Sequence, residues 1–338
     1  MKRSSILLTL GGLGFATWAI SRSVRSDFSF AGKVVLITGG SRGLGFAIAR
    51  KIATEGGRVA LLARDEDELA RACQTLRKLG GDALAVPCDL LDRGQSLGAI
   101  ETVVDHFGTL DVLINNAGII EVGPLENMRR HDFEKSMQVH FWAPFNLIRQ
   151  AVPHMRRAGG GRIVNISSIG GKVAVPHLAP YSASKFALVG LSDAFRAELA
   201  RDGICITTVT PGMMRTGSQV NATFKGDHGA EFTWFSLSTA LPFAAVDADR
   251  AAAKIVAACR RGQSSLIIGL PARIAIVGNA ILPSLTGEIM KLVNRLLPKP
   301  VGVEGDELKS GREAQTEQRA PGWLTRLGDA AIARENEG

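Results

Sequence analysis

Lys33-Val34-Val35-Leu36-Ile37-Thr38 is a short apolar run that passes directly into Gly39-Gly40-Ser41-Arg42-Gly43-Leu44-Gly45, after which apolar residues recur at helical spacing. Few folds can use such a stretch. The run reads as a buried parallel strand, which needs cover on both faces. The glycines let a ligand approach the backbone, and the helix that follows supplies amide donors and a favourable dipole to an anion. A strand, a glycine-rich turn and a helix in that order form a cradle for a dinucleotide pyrophosphate.

The same alternation continues along the chain. Arg58 to Arg64 reads as a second strand, and Ala83 to Val86 as a third, ending at Cys88-Asp89-Leu90. Asp111 to Asn115 is a fourth that breaks into Asn116-Ala117-Gly118, and Gly161 to Ile166 is a fifth that delivers Ser168. Ile204 to Val209 is a sixth, ending at Pro211-Gly212, and Ser265 to Gly269 is the last. Helices are expected after Glu66, over Gln95 to Phe107, from Tyr181 to about Arg201, and over His131 to Arg157, where Pro144 and Pro153 should bend or segment the chain. The expected class is α/β: one Rossmann-type doubly wound parallel sheet, with its ligand beyond the carboxyl ends of the strands.

Two stretches carry chemistry. Where a fold that prefers NAD usually places an acid, at the end of the second strand, this chain has Ala63-Arg64, and Arg42 lies in the glycine turn. Two guanidiniums suit a 2′-phosphate, which favours NADP(H); a solvated strand-end charge is the alternative for Arg64. Asp65 reads as the cap of the next helix rather than as a ribose ligand. Farther on, Tyr181 is the single tyrosine of the chain, and Lys185 follows it by one helical turn. A cation beside a phenol stabilises phenolate, so Tyr181 could exchange a proton near neutrality, with the Ser168 hydroxyl holding a substrate carbonyl.

Composition narrows the alternatives. The formal charge of +8 is scattered rather than clustered with aromatics, which argues against nucleic acid. Four cysteines, Cys73, Cys88, Cys205 and Cys259, stand far apart without a CxxC pair, which fits reduced thiols in a cytosolic compartment and no metal site. Residues 1–26 form a separate apolar segment: Ile6 to Ile20 is uncharged, with Lys2-Arg3 before it and Arg22 and Arg25 after it. It is short for a span and lacks a convincing cleavage site, so an uncleaved membrane anchor is the preferred reading over a signal peptide or an apolar leader. The expected location is membrane-associated with the catalytic domain on the cytoplasmic side, or else soluble in the cytoplasm. Residues 299–338 are polar and read as a solvated, disordered tail, in which Trp323, Leu324 and Leu327 could form one amphipathic turn.

Thr38-Gly39-x-x-x-Gly43-x-Gly45, Asn115-Asn116-Ala117-Gly118, Ser168, Tyr181-x-x-x-Lys185 and Pro211-Gly212 occur together and in order. With these motifs the chain resembles the short-chain dehydrogenase/reductase family over about residues 30–270. The resemblance implies hydride transfer between a nicotinamide and a carbonyl or alcohol carbon. Tyr181 would act as general acid or base, Lys185 would lower its pKa and bind the nicotinamide ribose, and Ser168 would orient the substrate oxygen. It further implies that Ser41, Arg42 and Leu44 line the phosphates with the glycines and that Asp89 and Leu90 contact adenine. Asn116, Ala117 and Gly118 would line the cofactor, and Thr216 would contact its carboxamide. Family members form dimers or tetramers, so a homodimer or homotetramer is expected.

His140 departs from the pattern, standing where family members typically carry an asparagine that holds a relay water. A histidine could replace the relay, titrating near neutrality, or be a packed core residue beside an impaired relay. That departure leaves a nucleotide-binding scaffold with little turnover as the alternative to an oxidoreductase. Met213, Met214, Phe224, Phe232, Trp234, Phe235, Leu241 and Phe243 lie in the segment that covers the substrate in this family. They fit a lipophilic substrate such as a fatty aldehyde, retinoid, steroid or acyl chain, and fit equally a lid packed on its own core. Residues 271–298 add apolar helices with interspersed basic residues, suited to a membrane surface beside the N-terminal segment or to packing on the domain or another subunit.

Overall fold

The computed structural model describes residues 28–215, 217–240 and 245–317. Seven parallel strands make the central sheet: β1 (Val34–Thr38), β2 (Arg58–Ala63), β3 (Ala83–Pro87), β4 (Val112–Asn115), β5 (Gly161–Ile166), β6 (Ile204–Pro211) and β7 (Ser265–Ile268). Their spatial order is β3-β2-β1-β4-β5-β6-β7, so the chain reverses direction across the sheet between β1 and β4. A crevice opens at the carboxyl ends of such a pair.

Alternation along each strand divides the core into two layers. From β1, Val35 and Ile37 face α1 (Gly43–Thr54) and α2 (Glu66–Lys78), with Ala251 and Ile255 of a later helix on the same side. Val34 and Leu36 face the other way, toward Ile100 and Val103 of α3 (Arg93–Phe107). Asp65 caps α2, its side chain accepting the Glu68 N–H at 2.8 Å, as its place before the helix implied.

The long helix after β4 is segmented at one proline only. After α4 (Arg130–Met137), residues Gln138–Trp142 take a π-helical turn, and α5 (Ala143–Arg157) continues through Pro153 unbroken. Pro144 has no N–H to give to the carbonyl four residues back, and the Ala143 N–H bonds instead to the Gln138 carbonyl. His140 sits inside this turn.

After α6 (Ala179–Leu199) and β6, a smaller lobe covers the carboxyl edge. It contains α7 (His228–Ala240) and precedes α8 (Ala248–Arg260), which returns to the main sheet. Beyond β7 come α9 (Leu270–Ile281) and α10 (Pro283–Leu296), a helical pair. The chain then folds back, contrary to the solvated tail expected from residue 299. Lys309–Ser310 pairs antiparallel with Thr223–Phe224, which in turn pairs with Glu121–Val122, and α11 (Gly311–Thr316) packs on the lobe. The Asn127 amide donates to the Val301 and Gly302 carbonyls at 3.0 and 3.2 Å, and Arg129 pairs with Asp306. Polar composition concealed this strap because its hold is by hydrogen bonds and charge. Leu241, Phe243, Trp323, Leu324, Leu327 and residues 1–26 lie outside the described residues, among which no helix is long and apolar enough to cross a membrane.

Candidate active site

The glycine turn is held in place from β4. The Thr38 hydroxyl accepts the Asn116 and Ala117 N–H groups at 2.9 and 3.0 Å, and the Asn116 side-chain amide donates to the carbonyls of Thr38 and Gly39, both at 3.0 Å. Asn116 therefore works as a clamp on the turn. A Cβ on Gly45 would come within 2.0 Å of the Gly39 carbonyl oxygen, and Gly39 and Gly43 have φ of 61° and 55°, so these three positions require glycine.

A cleft of about 390 Å³ runs from this turn to Tyr181 and Lys185. Arg42, Arg64, Glu68, Asp89 and Leu90 line one end, and Asn116, Ala117 and Gly118 lie along it. Sequence reasoning missed Glu68. Its carboxylate accepts from Arg42 at 2.7 Å and from the Ser41 hydroxyl at 3.0 Å, which joins the phosphate turn to α2. Arg64 is exposed and makes no ion pair among the described residues. Pro211 ends β6 and Gly212 donates to the Ile268 carbonyl at 2.9 Å, while Thr216 lies outside the described residues. Among the described residues no group of three His, Cys, Asp or Glu side chains could hold a metal.

At the other end Ser168, Tyr181 and Lys185 come together. The Ser168 hydroxyl accepts the Gly170 N–H at 3.1 Å and hydrogen-bonds the Tyr181 phenol. A Cβ on Gly170 would meet the phenol ring at 3.1 Å, so the absence of a side chain there makes room for it. The Lys185 ammonium lies 5.7 Å from the ring centroid and donates to the Ile166 carbonyl at 3.0 Å. Electrostatics differ from the sequence expectation. Burial raises the Tyr181 pKa, the Ser168 hydrogen bond lowers it only in part, and burial brings Lys185 down to about 7. Near pH 7 the phenol is therefore protonated, and the lysine stands close to its midpoint.

His140 lies at the centre of a closed hydrogen-bond chain. Its Nε2 accepts the Ile119 N–H at 3.1 Å, which leaves the proton on Nδ1, 2.8 Å from the Ser184 hydroxyl. Ser184 in turn donates to the Tyr181 carbonyl at 2.9 Å. Burial, with the charge of Lys185, holds the imidazole well below its usual pKa, so the expectation that it titrates near neutrality is corrected. Both ring nitrogens are spent on protein partners, and the ring packs edge-on against Tyr181 with centroids 5.5 Å apart. A second buried chain was not foreseen: Asn115 donates to Asn165 at 2.8 Å, and Asn165 donates to Ser192 at 2.9 Å, tying β4, β5 and α6 together behind the site.

Of the lid residues, Phe224, Phe232 and Phe235 are buried together with Val122, Leu178 and Ala314. They form the core of the lobe, which decides between the two readings for these three. Met214 lines the cleft, as do Ile119, Ile120 and Val139. The lobe is also tied by buried charge: Lys225 pairs with Asp132 at 2.7 Å, and Glu231 accepts from Trp234 at 2.6 Å and contacts His177 at 2.8 Å.

Residues 33–225 match the short chain dehydrogenase family. The chain belongs to that family. Relatives include a dehydrogenase/reductase SDR family protein 7-like of Anopheles gambiae, 32% identical over 84% of this chain and 90% of that one. The ketoacyl reductase HetN of a Nostoc strain is 39% identical over 57% of this chain and 68% of its own length. Among solved structures, L-sorbose reductase from Gluconobacter frateurii, complexed with NADPH and L-sorbose, aligns with a TM-score of 0.65 and 27% identity over 72% of this chain and 97% of that one. These likenesses, with the fold, make the protein an oxidoreductase of the short-chain type.

Proposed function

We propose that the protein reduces a lipophilic carbonyl, or oxidises the matching alcohol, with NADP(H), and that Tyr181 carries the proton. The observation that carries this reading is the single cleft joining two cationic side chains at one end to the Ser168–Tyr181 hydrogen bond and Lys185 at the other. The cleft fits the cofactor on its own terms: three required glycines open the backbone at a helix N-terminus, and Arg64 stands unpaired at the rim among the described residues. When bound, NADPH supplies the hydride.

The protein's own residues do the rest. Ser168 orients the substrate oxygen, and Tyr181, a protonated phenol at neutral pH, donates to it. A protonated Lys185 stabilises the phenolate left behind, close enough to act through the shared face of α6. His140 and Ser184 fix the Tyr181 backbone and so act as positioning residues. The apolar side chains of Ile119, Ile120, Val139 and Met214 in the cleft lining support a lipophilic substrate, as does the ketoacyl reductase among the relatives. A substrate of that class partitions into lipid, and a membrane-associated location belongs to the same reading.

The test follows loss of nicotinamide absorbance with NADPH and a panel of apolar aldehydes and ketones beside short sugars. Turnover of the apolar set is expected. Tight NADPH binding without turnover of any carbonyl would overturn the proposal, and preference for the sugars would overturn its substrate class.

A further inference from the structure

The helical pair after β7 carries more apolar surface than its packing uses. On α10, the half-buried Thr286, Met290 and Val293 recur at helical spacing along one side, and the half-buried Leu297 follows the helix end. A second stripe, Leu285, Ile289, Leu292 and Leu296, is exposed by 53%, 48%, 57% and 81%, and no residue of α10 is buried. On α9, Ala272 is buried, while Leu270, Ile274, Val277 and Ile281 are exposed by 69%, 64%, 49% and 70%. A helix needs one apolar stripe to pack on its neighbour. Each of these helices has a second one, turned to solvent, which is more than isolated exposed residues account for.

We propose that this exposed face lies on the surface of an anionic bilayer and brings the substrate cleft to the membrane. Charge favours lipid over a second copy. Arg273, Arg295 and Lys299 flank the stripes and form no ion pair among the described residues, and the single acid of the hairpin, Glu288, is engaged with Lys291 at 2.7 Å. Apolar stripes edged by unpaired cations fit a headgroup layer above acyl chains, whereas two copies meeting through this face would set cation against cation.

The hairpin also stands beside the site. Its Asn279 amide donates at 3.0 Å to the carbonyl of Lys172, which directly follows the Ser168 turn, and Ala272 abuts Gly212 so closely that a Cβ there would lie 3.0 Å away. Ser167, before the first of these loops, and Met214, after the second, line the cleft, so a bilayer against the hairpin lies next to the cleft's substrate end. Phe28, the first described residue, packs against Arg162 at the start of β5, and residues 1–27 lie outside the described residues.

The inference rests in part on the lipophilic substrate proposed above, and the test separates the two. The full chain carrying Leu292→Cys is labelled with an environment-sensitive fluorophore and mixed with vesicles of phosphatidylcholine and phosphatidylglycerol. The expected result is a blue shift, quenched by lipids brominated near the headgroup, with no shift at Lys78→Cys on α2; signal from the native cysteines is subtracted with labelled parent protein. No shift with vesicles, or the same shift on raising protein concentration without lipid, would overturn the bilayer contact. In a second arm, Ile289→Glu/Leu292→Glu should lower turnover of a vesicle-dissolved long-chain ketone about tenfold, the scale of losing one leucine from hydrocarbon, and leave a short soluble ketone unaffected. Equal turnover of the vesicle-dissolved ketone by parent and variant would overturn delivery from the membrane. If the parent turns over no carbonyl at all, the enzymatic reading fails while the fluorescence arm still decides the contact.

Discussion

The cofactor half of the cleft and the lobe that covers its substrate end are built on different principles. The first is made by short-range sequence: a strand, a turn that accepts only glycine at three places, and a helix, clamped by Thr38 and Asn116 from the neighbouring strand ends. The second is assembled from distant pieces. Its small sheet joins residues 121–122, 223–224 and 309–310, and its aromatic core closes only when α11 arrives. Backbone shape therefore sets the cofactor end, where a ligand with a fixed pyrophosphate must fit. Side-chain packing sets the other end, where substrate can vary without disturbing the sheet.

That contrast can be broken in several places. The largest effect is expected at Tyr181→Phe, which keeps the ring and removes the proton donor. Turnover should fall by about 10²–10⁴-fold while NADPH affinity, measured by titration, is unchanged. Phe224→Ala empties the core of the lobe and should destabilise it by about 3–5 kcal/mol, read as faster hydrogen exchange over residues 223–224 and 309–310, with the glycine turn still protected. If protection is lost equally in both halves, they are not separable.

Lys185→Met sharpens the comparison from the chemical side. Burial lowers the Lys185 pKa from 10.5 to about 7, so between those values the unfolded chain binds more protons and ligand-free stability rises with pH. Below about pH 7 the whole penalty applies, and the variant should gain roughly 1–3 kcal/mol in denaturant unfolding there, less than the shift alone implies because the Ile166 carbonyl loses its donor. Its activity should fall, but by less than in Tyr181→Phe. In the parent, kcat/KM for carbonyl reduction should decline as pH rises above about 7, as Lys185 loses the charge that stabilises phenolate.

Arg64→Ala should weaken NADPH about tenfold and leave NADH unchanged, since one exposed guanidinium facing a phosphate contributes on that scale. The smallest effect is expected at His140→Asn. Activity should be retained within about threefold, because an amide can still bridge the Ile119 N–H and Ser184. The His140 pKa is depressed in the fold, so its neutral form contributes stability that is full above the ordinary histidine value near 6.5 and is lost as pH falls toward the folded value. The variant should accordingly lose less stability than the parent between about pH 6.5 and 5.

The sequence made the sheet legible to within a residue or two at most strand ends, because buried parallel strands are long apolar runs and each ends in punctuation: Gly39, Asn116, Ser168, Pro211. The Tyr181–Lys185 pair was legible because helical spacing is a local rule. The state of that pair was not. Which of burial and charge dominates depends on the whole surround, and burial wins, leaving a protonated phenol beside a lysine near its midpoint. The His140–Ser184 and Arg42–Glu68 contacts join residues 44 and 26 positions apart, for which no local pattern exists. One missed element did leave a sign. Ser310 and Glu313 form a reciprocal capping box at the start of α11, a signature readable from the letters alone that the polar composition around it obscured.

The returning strap also bears on the order in which the protein becomes competent during synthesis. Residues 309–310 must pair with 223–224, 85 to 87 positions earlier, before the lobe is complete. A nascent chain emerging from the ribosome thus exposes all seven strands of the main sheet and the full glycine turn well before its substrate chamber can close. Cofactor capture could precede substrate competence, and the enzyme would remain idle until nearly its last described helix is made.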